Sequence, residues 1–377
     1  MTSRERLLTA MRLGTPDMVP VTPDMSHMIP CRLTGKPFWD VYIHEAPARW
    51  EAYIGAVRHF GFDGWLDSGD FRFLYPKDVS SSTRIVSQDS ERIVQRIRTC
   101  TPAGDFEEEV TYYRADPPTH SLKPFTDFES DFEKIKYLVR DPSGYDDSVF
   151  RRARAMMGED GVVCVCLGMP GFQGWLGLLR GGLEALTYAW YDHRELMLKL
   201  RDLTHRSSLK QLEMALEVKP DCVLIGASGT LALQSPAMFR ELGLGTLKVM
   251  TSMCKEAGVV SMLHSCGPER ELVKIAAEET ELNCINPLEI RPMGDCDLAE
   301  LKREFGHRIC LMGNLHTTEV MLRGTPAEVE AAASKAIDDA GKGGGFILST
   351  GDQCGRDTPE ENIFRMIEVA RAYGRYA

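Results

Sequence analysis

The chain has 377 residues, with 44 Lys+Arg against 55 Asp+Glu for a formal charge of −11. It has no basic field to hold a polyphosphate backbone, which excludes nucleic acid as a partner. At 43% hydrophobic and 26% charged residues it has the make-up of a chain that buries a core, so disordered and fibrous classes are excluded too.

Its first residues, Met1-Thr2-Ser3-Arg4-Glu5, contain no cationic segment followed by an apolar stretch, so the expected location is the cytoplasm. Reduced thiols are the expectation for the 11 cysteines there, leaving metal binding or catalysis as their chemistry. Residues 161–179 carry no charge over 19 positions, but five glycines, Pro170 and Gln173 interrupt the run. It reads as a buried strand, a loop and a helix start, with no membrane span.

In chain order, Thr2 and Glu5 form a capping box that opens a helix ended by Gly14. Short apolar runs then recur at 19–22, 64–66, 162–167, 222–225, 259–264, 284–288, 309–312 and 346–349. Amphipathic stretches separate them, with start signals at Ser235-Pro236, Thr325-Pro326 and Thr358-Pro359, and Gly374 stops the last helix. Eight β-branched, sulfur-rich runs alternating with helices predict a (β/α)8 TIM barrel, one domain over residues 1–377. A doubly wound sheet is the weaker choice, because no Gly-x-Gly-x-x-Gly follows an early strand. Residues 92–98 and 109–113 alternate around Gly104, predicting an inserted β-hairpin between the second and third barrel strands, with Glu107 to Glu109 as its solvated edge.

Chemistry in such a barrel sits where strands end. The fifth run leads into His264-Ser265-Cys266-Gly267, and residues two apart in an extended chain share a face. The eighth leads into Asp352-Gln353-Cys354-Gly355 with the same spacing. Imidazole, thiolate and a further thiolate or carboxylate with one open position describe a catalytic zinc site; the bland alternative is a packed histidine beside an inert thiol. Glu289, at the sixth strand end, is placed to orient a ligand or take a proton. Asn314 and His27, at the seventh and first strand ends, are candidate substrate contacts, while Cys164 and Cys166 read as core thiols. Asp63 and Asp67 are weighed between pocket and turn roles, and Arg291 and Arg356 between an anionic tail and solvent.

His264-Ser265-Cys266-Gly267, Asn286-Pro287-Leu288-Glu289, Met312-Gly313-Asn314, the lead 343–348 and Asp357-Thr358-Pro359-Glu360-Glu361-Asn362 resemble, as an ordered set, the uroporphyrinogen decarboxylase superfamily. The resemblance implies a (β/α)8 barrel and points to two branches, porphyrinogen decarboxylases and zinc-dependent methyltransferases that work with methylated corrinoid proteins. Residues 23–30 lack the arginines that the decarboxylase branch carries after its first strand. The methyltransferase branch therefore fits better, with a thiol such as coenzyme M, or a folate, as acceptor. That branch implies His264 and Cys266 as zinc ligands; the third position is open between Cys354 by a shifted loop, Asp352 by substitution, and the absence of a tight zinc site. No Asp-x-His-x-x-Gly corrinoid motif is present, so the corrinoid is expected on a partner protein. A decarboxylase-like lyase and a catalytically silent tetrapyrrole or corrinoid binder are the alternatives.

Overall fold

A computed structural model describes residues 1–376. Seven of the eight apolar runs form one parallel sheet, curled in the manner of a TIM barrel, in the order Gly64–Leu66, Gly161–Leu167, Cys222–Gly226, Val260–His264, Cys284–Asn286, Cys310–Leu315 and Phe346–Thr350. The eighth run, 19–22, makes a single parallel bridge, Val21 with Leu348. Its reason is local. Pro20 has no N–H to give, and the Val21 N–H is taken by the Asp63 carboxylate at 2.9 Å. The segment still fills the space between the two sheet ends: Thr22 N donates to Leu348 O at 3.0 Å and Asp63 N to Val21 O at 2.9 Å.

Strand parity sorts the side chains into two cores. Val162, Cys164, Cys222, Leu224, Val260, Met262, Cys284, Cys310, Met312 and Ile347 point inward, joined by Leu7, Leu8, Ala10 and Met11 of helix Ser3–Met11, which stoppers the barrel at the amino ends of its strands. Val163, Val165, Val223, Ile225, Leu263, Ile285, Leu311 and Leu348 point outward against the helices. The same parity carried two residues further puts Cys166, His264, Asn286 and Asn314 inward at the carboxyl ends, where the interior turns polar.

Helix Ser3–Met11 is locked to this frame by a buried charge cluster. Arg6, 8% exposed, donates to Asp63 at 2.6 Å and to Asp17 at 2.8 and 3.0 Å. Asp63, weighed as a pocket or turn residue, is instead the buried clamp that ties this helix to the 19–22 segment.

Between strands Gly64–Leu66 and Gly161–Leu167, the excursion is larger than a hairpin. Residues 92–98 and 109–113 fall within strands Arg92–Cys100 and Phe106–Tyr113, which pair antiparallel inside a four-stranded sheet completed by Ser80–Gln88 and Thr119–Leu122. The loop between its last two strands is tied to the barrel: Arg356, in the loop after the last barrel strand, donates to Ala115 O at 2.6 Å and to Asp116 at 3.0 Å. Arg356 is thus spent on a structural tie. No helix among the described residues is long and apolar enough to cross a membrane.

Candidate metal centre at the barrel mouth

Three strand ends supply the site. After Val260–His264 the chain turns at Gly267, whose φ of +99° a side chain would resist, and this turn presents Cys266. The Gly267 N–H donates to Glu289 Oε2 at 2.5 Å, so the carboxylate following Cys284–Asn286 fastens the loop that carries the thiol. From the third end, Asp352 sits at φ +98°, a conformation costly for a residue with a Cβ, and accepts the Gln353 N–H at 2.7 Å. The thiol of Cys266 and one carboxylate oxygen each from Glu289 and Asp352 lie within 4.8 Å of one another.

The electrostatics are those of acids forced together out of water. Burial pushes the Glu289 carboxyl above its usual range, with Asp352 adding to the push and His264 opposing it. The Cys266 thiol is pushed up to about 12, by burial first and then by Asp352 and Glu289. Asp24 is pushed up to about 6 by burial, against His264 and the Ser26 hydroxyl that donates to it at 2.6 Å. Burial disfavours the charged form of each of these groups, a cost that a bound cation would offset.

The candidate residues separate clearly. Cys266, Glu289 and Asp352 converge; His264 lies outside that mutual set, though its charge acts on Glu289 and Asp24. Cys354 is fully buried among apolar side chains, its N–H donating to Asp24 O at 2.8 Å, and its donor atom is not in the set. Asn314 gives its Nδ2–H to Leu288 O at 3.0 Å. His27 precedes helix Met28–Leu33 without a side-chain capping hydrogen bond and stands edge-on to Tyr42 at 6.0 Å.

Parity, applied past the core, would have found the residues passed over. Cys164 is core, as expected, but Cys166, two residues on, is open to solvent at the mouth. Asn286 is completely buried with neither its Oδ1 nor its Nδ2 hydrogen-bonded. It lies in register with His264, and an orphaned amide at that depth calls for a partner. Behind the cluster, Glu269 is buried, one oxygen accepting the Leu288 N–H at 2.7 Å and the other without a partner.

A curled parallel sheet with thiol and carboxylate donors gathered beyond its carboxyl ends defines a TIM-barrel-like α/β protein with a candidate metal centre. The chain belongs to the uroporphyrinogen decarboxylase (URO-D) family, whose sequence profile matches residues 177–373. Among curated proteins it is 29% identical over 152 residues to the methylcobamide:CoM methyltransferase MtbA of Methanosarcina mazei, a match covering 40% of this chain and 41% of that protein. It is also 29% identical over 79 residues to the uroporphyrinogen decarboxylase of Erwinia tasmaniensis, covering 21% and 22%. A solved structure, a methyltransferase from Methanosarcina mazei, matches with a TM-score of 0.64 at 18% identity over 99% of both chains, which shows a common fold.

Proposed function

We propose that the protein is a one-domain methyltransferase that moves a methyl group between a methylated corrinoid on a separate protein and a small acceptor, a thiol or a folate. The observation that carries this reading is the convergence of Cys266, Glu289 and Asp352 at the mouth. One sulfur and two carboxylate oxygens suit zinc, and the unpartnered Asn286 amide nearby fits a site built for an occupant. Cys266, Glu289 and Asp352 would hold the ion, with His264 beside them and Cys354 behind. When bound, zinc supplies the Lewis acidity that keeps an acceptor thiol deprotonated near neutral pH.

The chain's own residues do the rest. Glu289 fixes the Cys266 loop through Gly267 N–H, so the thiol is positioned before any ligand enters. His264, at the end of the strand that leads into Cys266, is the residue assigned to accept the proton an acceptor thiol gives up. Asp24, Glu289 and Asp352 make the mouth acidic, which disfavours a polycarboxylate porphyrinogen and sets the decarboxylase reading aside.

Metal analysis of the purified protein, paired with a spectrophotometric assay of methylcobalamin demethylation by thiols, tests the proposal. Roughly one zinc per chain is expected, lost together with thiol-dependent demethylation in Cys266→Ala. Full activity in Cys266→Ala would overturn the reading.

A further inference from the structure

An open cavity that the methyl-transfer reading leaves unused lies at the junction of the inserted sheet and the barrel. It has a volume of about 430 Å³ and is lined by Tyr42, Glu45, Arg49, Asp70, Arg72 and Tyr112 among others. Helix Phe38–Tyr42 gives the first wall and the start of helix Arg49–Phe60 the second. Tyr112 comes from inserted strand Phe106–Tyr113. The chain just after that strand is held by Phe38 N donating to Arg114 O at 2.7 Å and by the Arg356 tie to Ala115 and Asp116. The cavity therefore exists because the insertion exists.

Its donors are idle. Among the described residues, the Arg49 guanidinium makes only a long contact with Asp70, 3.7 Å, and lies 5.7 Å over the Tyr42 ring. No ion pair or hydrogen bond within the described chain engages the Arg72 guanidinium. The Tyr42 hydroxyl is buried with no partner. Elsewhere in this molecule exposed arginines are mostly paired: Arg96 with Glu109, Arg98 with Asp105, Arg356 with Asp116 and Asp357. One guanidinium held only by a long ion pair, a second with no ion pair or hydrogen bond among the described residues, and a stranded hydroxyl thus meet around one cavity. Glu45 and Asp70 line the same wall and balance the charge of the two arginines.

We propose that this cavity is an oxyanion-binding subsite for a small molecule bearing a carboxylate, sulfonate or phosphate group. Arg49 and Arg72 grip the oxyanion with charge-assisted hydrogen bonds, for which the planar guanidinium fork is suited, and the Tyr42 hydroxyl donates a third. Arg49 and Asp70 also border the narrow cleft lined by His27 and Asp67. The assignment stands independently of methyl transfer.

Isothermal titration of the full chain with inorganic phosphate, against chloride at matched ionic strength, tests it. Saturable phosphate binding is expected in the parent protein, weakened at least about tenfold in Arg49→Gln and in Arg72→Gln. Tyr42→Phe, which leaves packing intact, should weaken it about threefold. Cys266→Ala should bind phosphate as the parent does, so loss of the metal-centre reading and loss of this one are separable. Absence of saturable binding, or parental affinity in both arginine variants, would overturn the proposal.

Discussion

Replacing Arg6 with methionine removes the cation but keeps most of the side-chain volume. Asp63, 2% exposed, is then left with the Val21 N–H at 2.9 Å as the remaining partner of its carboxylate. Breaking a buried pair from one side costs about 3–5 kcal/mol, because an uncompensated charge stays in the interior. At ~2.1 cal/mol/K per residue, the unfolding entropy of a chain this long is roughly 0.8 kcal/mol/K, so the expected loss in apparent Tm is about 4–6 °C. Differential scanning calorimetry reads the shift, and hydrogen exchange at the Val21 amide reports whether the 19–22 segment loosens. Adding Asp63→Asn neutralises the stranded charge and should recover about half of the loss or more, giving a measurable coupling in the double-mutant cycle. A cost under about 1 kcal/mol for Arg6→Met, the value of an exposed pair, would refute the claim that this cluster clamps helix Ser3–Met11 to the barrel.

Gly161 pairs with Gly64, and a Cβ there would sit 2.1 Å from the Gly64 carbonyl oxygen; Gly161→Ala should cost about 1–3 kcal/mol or more in urea unfolding. Gly55, inside helix Arg49–Phe60 with open space around it, is the opposite case, and Gly55→Ala should gain roughly 0.5–1 kcal/mol. Asp352→Gly relieves the φ +98° strain, so calorimetry should show unchanged or raised stability while zinc affinity falls; parental zinc affinity would count against Asp352 as a ligand. Arg6 and the terminal amino group hold the Asp17 carboxyl well below its usual range. A carboxyl depressed in the folded state stabilises above its unfolded pKa, about 3.9, and that share fades as pH falls further. Asp17→Asn should accordingly flatten the acid limb of the stability profile, and an unchanged limb would show the ion pair to be inert.

The barrel strands were legible because burial on both faces demands apolar runs of a length only strands use, and turn residues bound each one. The run at 19–22 obeyed that pattern yet became a single bridge, since Pro20 and the diverted Val21 amide leave no regular ladder. Strand Ser80–Gln88 could not be read at all. It is exposed on both faces, so nothing in it alternates, and an expected hairpin became a four-stranded sheet. At the site, position at a strand end picked out Cys266, Glu289 and Asp352, but it also gave His264 as a ligand and Glu289 only as a group that orients one or takes a proton, whereas Glu289 and not His264 falls in the converging set. What spacing left open was which of Asp352 and Cys354 faces the thiol, because the backbone at Asp352 takes a left-handed turn that shifts which residue points inward. Asn286 and Cys166 were legible as the next inward positions after Cys284 and Cys164, but Cys166 was read with Cys164 as a core thiol and Asn286 only as part of a motif.

X-ray absorption at the zinc edge of the loaded protein tests the central claim most directly. One sulfur at about 2.3 Å among nitrogen or oxygen neighbours at roughly 2.0–2.2 Å is expected, with the sulfur lost in Cys266→Ala and retained in Cys354→Ala. Two sulfurs, or a sulfur that survives Cys266→Ala, would contradict the assignment of the metal to Cys266, Glu289 and Asp352.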